Sequence, residues 1–181
     1  MDIKTIGVIG AGSMGNGIAQ VAAQAGYQVV MRDVEDRFVL NGLRAIDTFL
    51  SKSVEKGKIT GNQKQEVLGR LRGTTRMEDL KDADLVIEAV FEDLALKKSV
   101  FQQPDELTRP EIILATNTSS MSVAEIAMAT KRPANFAGAH FFNPTPLMKL
   151  VEVIRGFHTG HETVRIRFRI PKSQKEIEPI L

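Results

Sequence analysis

KTIGVIGAGSMGNGIAQVAAQAG, Lys4 to Gly26, is the stretch from which the rest of the chain is best read. An apolar, β-rich run meets a glycine turn and passes directly into helical spacing from Ser13 to Ala25. The turn holds the pattern Gly10-x-Gly12-x-x-Gly15. Each glycine meets a separate demand: a tight turn at Gly10, backbone approach to a pyrophosphate at Gly12, and close packing of helix on strand at Gly15. N–H groups at the helix start then face the phosphates, where the helix dipole favours negative charge. Such triplets also serve plain strand-to-helix connections, so a second feature is needed. YQVVMRD supplies it, a strand-like run ending in Asp33, whose carboxylate can accept both hydroxyls of an adenosine ribose. A carboxylate there repels a 2′-phosphate, which predicts NAD over NADP. Arg32 and Arg37 are the residues that could receive such a phosphate, and each reads equally as a solvated charge.

Outward from this unit, short β-rich runs alternate with longer helical ones. The strand candidates are KTIGVIG, YQVVMRD, ADLVIEAV, EIILATN, NFAGAHF and KLVEVIRG. Ser13 to Ala25, Phe38 to Lys56, Gln63 to Leu71, Leu94 to Leu107 and Val123 to Ala129 have helical spacing. Strands rich in Val, Ile, Leu and Ala without strict alternation are buried on both faces, which predicts an α/β fold with a Rossmann-type, doubly wound and mostly parallel sheet. A chain of 181 residues, 43% hydrophobic and 25% charged, suffices for one sizeable core and a small appendage. The division expected is a dinucleotide-binding domain over 1–156 and an atypical basic tail over 157–181 that is not a domain.

Charge is nearly balanced, with 24 Lys+Arg against 22 Asp+Glu, and the basic excess sits in the tail at Arg165, Arg167, Arg169, Lys172 and Lys175. The body shows neither a basic groove nor aromatic-basic interleaving, which argues against nucleic-acid binding. Zero cysteines exclude disulfides, thiolate metal sites and cysteine nucleophiles, and no metal site is expected. No apolar run is long enough for a bilayer, and MDIKTIGVIG enters a strand with no basic-then-apolar leader. A soluble, cytoplasmic protein without a membrane partner is the expectation.

Three further stretches carry polar groups to the carboxyl edge of the sheet, where open α/β folds bind ligands. ADLVIEAVFEDLALKK brings Glu92 and Lys97, although spacing alone favours a first-turn acid and a solvated lysine. ATNTSSMSVAEIA brings Asn117, Thr118, Ser119 and Ser120 ahead of a helix with a plausible Ser122–Glu125 capping box. Four small polar residues exceed what one cap needs, and the surplus could hold a substrate oxygen. HFFNPTPLMKLVEV places a turn at Asn143-Pro144 and Pro146 between His140 and Glu152. A carboxylate against one imidazole nitrogen would leave the other free to take a proton from an alcohol. A hydrogen-bonded core histidine has the same spacing, and spacing does not separate the two.

GAGSMGNGIAQ, VIEAVFEDLALKK, ATNTSSMSVAEIA and above all AGAHFFNPTPLMKLVEVIRG resemble the NAD-binding domain of the 3-hydroxyacyl-CoA dehydrogenases, from about Ile3 to Gly156. The likeness is nearest to bacterial members acting on 3-hydroxybutyryl-CoA. It implies an oxidoreductase of fatty-acid and butyrate metabolism, with an acyl-CoA substrate and a helical hairpin inserted in the Rossmann sheet. Gly10, Ala11, Gly12, Ser13, Met14 and Gly15 would hold the pyrophosphate of NAD, and Asp33 its adenosine ribose. Glu92 and Lys97 become nicotinamide-side contacts. Ser119 and Asn143 would lie near the nicotinamide and the substrate C3 oxygen, with His140 as general base oriented by Glu152. Lys52 or Lys56 lies where the hairpin of the family meets coenzyme A, and Phe49 stands where some relatives carry a small polar contact. HFFNP with Glu152 separates this resemblance from the related lysine-using β-hydroxyacid dehydrogenases.

Beyond Gly156 the likeness stops. Family members continue into a helix and an all-helical domain that supplies an asparagine of the substrate site and most of the dimer contact. GFHTGHETV echoes that helix start, but RIRFRIPKSQKEIEPIL alternates Arg with Ile or Phe and then meets Pro171, as an edge strand or a shifted reading frame would. Two functional classes follow: a 3-hydroxyacyl-CoA dehydrogenase, and a truncated NAD-holding fragment without catalytic activity.

Overall fold

The computed structural model describes residues 3–148, 150–164 and 176–180. Among the described residues eight strands form one sheet in the order β3-β2-β1-β4-β5-β6-β7-β8. They are β1 (Thr5–Ile9), β2 (Gln28–Arg32), β3 (Leu71–Thr74), β4 (Leu85–Glu88), β5 (Ile113–Thr116), β6 (Phe136–Phe141), β7 (Leu150–Ile154) and β8 (Glu176–Ile180). All neighbours run parallel except β6 and β7. The helices are α1 (Ser13–Gln24), α2 (Asp36–Glu55), α3 (Gly61–Gly69), α4 (Leu94–Leu107), α5 (Val123–Ala127) and α6 (His161–Val164).

Alternation along each buried strand divides the core into two layers. Ile6 and Val8 of β1, Leu85 and Ile87 of β4 and Ile113 and Ala115 of β5 pack with Ile18, Ile46 and Leu50 on one face. Ile9, Val86 and Leu114 pack on the other with Leu80, Phe101, Ile126 and Phe136. Both faces are covered, which is why these strands read as continuous apolar runs. From β1 the chain winds outward to β2 and β3, and from β4 it winds the opposite way to β5 and β6. The crevice at this reversal, β1 beside β4, is where doubly wound sheets take ligands.

Between β2 and β3 the chain inserts a hairpin of α2 and α3 instead of one crossover helix. Thr60 and Gln63 form a reciprocal capping box at the start of α3. Lys64 closes the hairpin through Asp47 and the Ser51 hydroxyl, both at 2.7 Å. The helix expected over Gln63 to Leu71 ends at Gly69, because Leu71 already belongs to β3. In the segment beyond Gly156, α6 and the pairing of β8 on β7 are described, whereas the Arg165–Ile170 alternation and Pro171 lie outside the described residues.

Asp84 ties the start of β1 to the head of β4. Its Oδ2 accepts the N–H groups of Lys4 and Thr5 at 2.8 and 2.9 Å, and its Oδ1 accepts from Arg109 at 2.6 Å. Burial would raise this carboxyl, but the two backbone donors and the guanidinium outweigh it and hold the group below its ordinary value. The stability it contributes is therefore present above the ordinary carboxylate value and is lost as pH falls through the folded-state value. Asp84→Ala is expected to cost about 2 kcal/mol at neutral pH. Urea denaturation of parent and variant should show that gap narrowing at acid pH, and a gap independent of pH would show the carboxylate to be irrelevant.

Candidate active site at the carboxyl edge

Gly10 leaves β1 with φ at +103°, a left-handed conformation that side chains rarely adopt, and a Cβ there would stand 2.6 Å from the Ala89 carbonyl oxygen. Gly15, in the first turn of α1, lies so close to the strand end that a Cβ would fall 1.7 Å from the Gly10 carbonyl oxygen. A Cβ on Gly12 would meet nothing within 4 Å, so the turn is open there. No side chain caps α1 at Gly12 and no acid occupies its first turn, which leaves the first-turn N–H groups available to an anion. Ala11 completes the turn, and Ser13 and Met14 open α1. These features fit a pyrophosphate, and no described residue fills the space over Gly12.

Asp33 sits one residue past β2, and its Oδ2 accepts the N–H of Ala11 at 2.6 Å. Its Oδ1 accepts the Val34 N–H at 2.7 Å, so the carboxylate is fixed beside the glycine turn with further lone pairs to offer. Both neighbouring arginines have other partners. Arg32 donates Nε–H to the Thr75 carbonyl at 3.2 Å, while Arg37 pairs with Glu35 at 2.9 Å and lies over the Phe38 ring.

Glu92 and Lys97 differ from their plainest sequence reading. Asp93, not Glu92, caps α4, through the Leu96 N–H at 2.7 Å. Lys97 is no solvated lysine: it has no exposed side-chain surface and lies between Glu88 at 2.7 Å and Glu92 at 3.2 Å. Burial would raise the Glu92 carboxyl, but the Thr118 hydroxyl, the Ser119 N–H and the Lys97 ammonium together hold it below its ordinary value. It accepts from Thr118 Oγ1 and, at 3.0 Å, from Ser119 N–H.

The polar cluster after β5 is divided among several tasks. Ser122 caps α5 by accepting the Glu125 N–H at 3.2 Å, while the Glu125 carboxylate takes Lys98 at 2.7 Å. Asn117 Oδ1 accepts the Phe141 N–H at 2.8 Å and pins β5 to the end of β6. Ser119 Oγ lies 3.1 Å from His140 Nε2.

His140 is the penultimate residue of β6, and the antiparallel register sets it directly opposite Glu152 on β7. Opposed residues in such a ladder share a face, so the two side chains meet, with Nδ1 to Oε2 at 2.7 Å. A carboxylate can only accept, which places the ring proton on Nδ1 and leaves Nε2 as the acceptor of the Ser119 hydroxyl. The imidazole is not sealed in the core: His140 and Glu152 keep 15% and 24% of their side-chain surface exposed. Phe142 covers one side of the ring with centroids 4.5 Å apart.

Asn143 stands exposed on the turn, and Lys52 and Lys56 stand exposed at the far end of α2; among the described residues none of the three hydrogen-bonds to Ser119, His140 or Glu152. Among the described residues there is no cluster of His, Asp and Glu able to hold a metal ion. Glu88 was not among the sequence candidates. The signal was present, since a glutamate ending a strand buried on both faces needs a buried partner, and Lys97 follows on the helix packed against that face.

Residues 5–180 match the family profile of the 3-hydroxyacyl-CoA dehydrogenase NAD-binding domain, so the likeness runs past Gly156, where the sequence alone ends it. A probable 3-hydroxybutyryl-CoA dehydrogenase of Deinococcus radiodurans is 51% identical over 88% of this chain and 57% of its own. The 3-hydroxybutyryl-CoA dehydrogenase of Clostridioides difficile is 46% identical over 95% of this chain and 61% of its own. The crystal structure of (S)-3-hydroxybutyryl-CoA dehydrogenase from Ralstonia eutropha superimposes with a TM-score of 0.94 at 39% identity, covering 99% of this chain and 64% of that one. The chain thus spans about three fifths of the length of these relatives.

Proposed function

The chain belongs to the 3-hydroxyacyl-CoA dehydrogenase family, and from that premise we propose that it serves the NAD-dependent interconversion of a 3-hydroxyacyl-CoA, 3-hydroxybutyryl-CoA foremost, and its 3-oxoacyl-CoA in the cytoplasm. The observation that carries this is the Ser119–His140–Glu152 line at the same sheet edge as the open glycine turn. Bound NAD supplies the acceptor for the hydride leaving C3. His140 Nε2 takes the hydroxyl proton in that direction and returns it in the reverse, while Glu152 on Nδ1 fixes the tautomer and stabilises the imidazolium. Ser119 Oγ, already against Nε2, is placed to share the substrate oxygen. Asn143 and the hairpin residues Lys52 and Lys56 are proposed as substrate-side contacts, the lysines toward the phosphates of coenzyme A. Residues 1–156 form the cofactor-binding unit in this proposal, with 157–181 as an appendage to it.

Calorimetric titration and acetoacetyl-CoA reduction test it. NADH should bind, NADPH should bind at least tenfold more weakly, and Asp33→Ala should cost NADH about 1–3 kcal/mol. NADPH binding more tightly than NADH would overturn the assignment. Cofactor binding without reduction of acetoacetyl-CoA would favour an NAD-holding domain that performs no chemistry itself. Among the described residues no helix is long and apolar enough to cross a membrane.

A further inference from the structure

We propose that Glu88 is a positioning residue of this site, holding the Glu92–Ser119–His140 arm in place through Lys97. The proposal rests on the cofactor and general-base assignments above. Glu88 ends β4 in register with Ile9 and Thr116 and has no exposed side-chain surface. Both of its oxygens are engaged: Oε1 accepts from Val90 N–H and Lys97 Nζ, and Oε2 from Thr116 Oγ1, each at 2.7 Å. A carboxylate this deep persists only when paired and hydrogen-bonded, and the equally buried ammonium of Lys97 has the same need.

Lys97 does not stop at one partner. Its second carboxylate is Glu92, whose Oε2 lies at 3.2 Å and whose Oε1 accepts from Thr118 and Ser119. Ser119 then reaches His140 Nε2. An unbroken run of contacts therefore leads from a sealed carboxylate to the ring nitrogen that would meet substrate. With Glu88 neutral, Lys97 would have Glu92 as its sole carboxylate and draw it inward, away from the Ser119 N–H.

Charge supplies a second consequence. Two carboxylates flank one ammonium, so the trio carries excess negative charge beside the proposed nicotinamide end. Such charge favours the cationic oxidised ring over the neutral reduced one, by an amount that grows in a site shielded from water. A loss of fold stability alone would weaken the two redox forms alike, since they differ only at the nicotinamide ring.

The test is Glu88→Gln in the full chain, with calorimetric Kd values for NAD+ and NADH and amide hydrogen exchange by NMR. The NAD+ affinity should fall at least fivefold relative to that of NADH. The Ser119 amide should lose roughly tenfold protection relative to Phe141, whose N–H is held by Asn117 and not by this chain of contacts. Equal loss for both cofactors with an unchanged Ser119-to-Phe141 ratio would overturn the proposal and leave a stabilising ion pair only. If Glu88→Gln does not fold, Thr116→Val, which removes one bond to Glu88 and no charge, should lower Ser119 protection relative to Phe141 while leaving the NAD+ to NADH affinity ratio as in the parent, and an unchanged amide ratio there overturns the proposal equally. Should the parent chain bind neither cofactor, the NAD assignment fails and the amide ratio alone decides the role of Glu88.

Discussion

Gly15→Ala is expected to abolish NADH binding and to destabilise the fold by about 3 kcal/mol or more, because its methyl carbon would fall 1.7 Å from the Gly10 carbonyl oxygen. No rotamer relieves the contact, since a Cβ has no torsion of its own, and the obstacle is backbone. Either α1 must move away from β1 or the turn must reopen, and both changes displace the N–H groups proposed to face the phosphates. Gly12→Ala separates the two effects. Its added carbon meets nothing of the chain within 4 Å and its φ of −65° suits any residue, so the melting temperature should stay nearly unchanged. Binding should still fall by at least about a hundredfold, because that open space is where a pyrophosphate has to approach. Thermal melts and NADH titrations of the pair decide the matter. A Gly12→Ala chain that binds NADH like its parent would place the cofactor elsewhere.

The pair of variants also marks which features were legible in the chain. The β1–turn–α1 unit was, because its signals are local: an apolar run, three glycines at fixed offsets and a helix start. Asp33 followed for the same reason, since the next strand in sequence is also the next in the sheet. Non-local features were harder. β3 has only four residues, LRGT, with one apolar side chain of any size, and it owes its place to pairing with β2 instead of to its own pattern. Lys97 looked solvated because a lysine in the first turns of a helix usually is, and only the carboxylate at the end of β4, nine positions earlier in the chain and packed against that turn, explains its burial. The Asn117–Ser120 cluster was visible as a surplus of polar groups, but its division among β6, Glu92 and His140 depends on tertiary partners that no local pattern encodes.

On the proposed function, His140→Asn is expected to lower acetoacetyl-CoA reduction by about a thousandfold while leaving NADH affinity within about twofold of the parent, as removal of a general acid–base group requires. Asparagine retains a polar group near Ser119 but cannot carry a proton to or from the C3 oxygen at neutral pH. Glu152→Gln should fall between, with about a hundredfold loss: the amide oxygen can still accept from Nδ1, so the ring is held, but the charge that steadies the imidazolium is gone. The two losses should not add in the double variant if Glu152 acts through His140, to which it is hydrogen-bonded at 2.7 Å. Steady-state rates at saturating NADH, with the cofactor affinity measured separately, give all three values. Losses that multiply would show that Glu152 does something other than orient and steady the ring. Equal turnover in parent and His140→Asn would remove the histidine from the chemistry and return it to a ladder residue paired across β6 and β7.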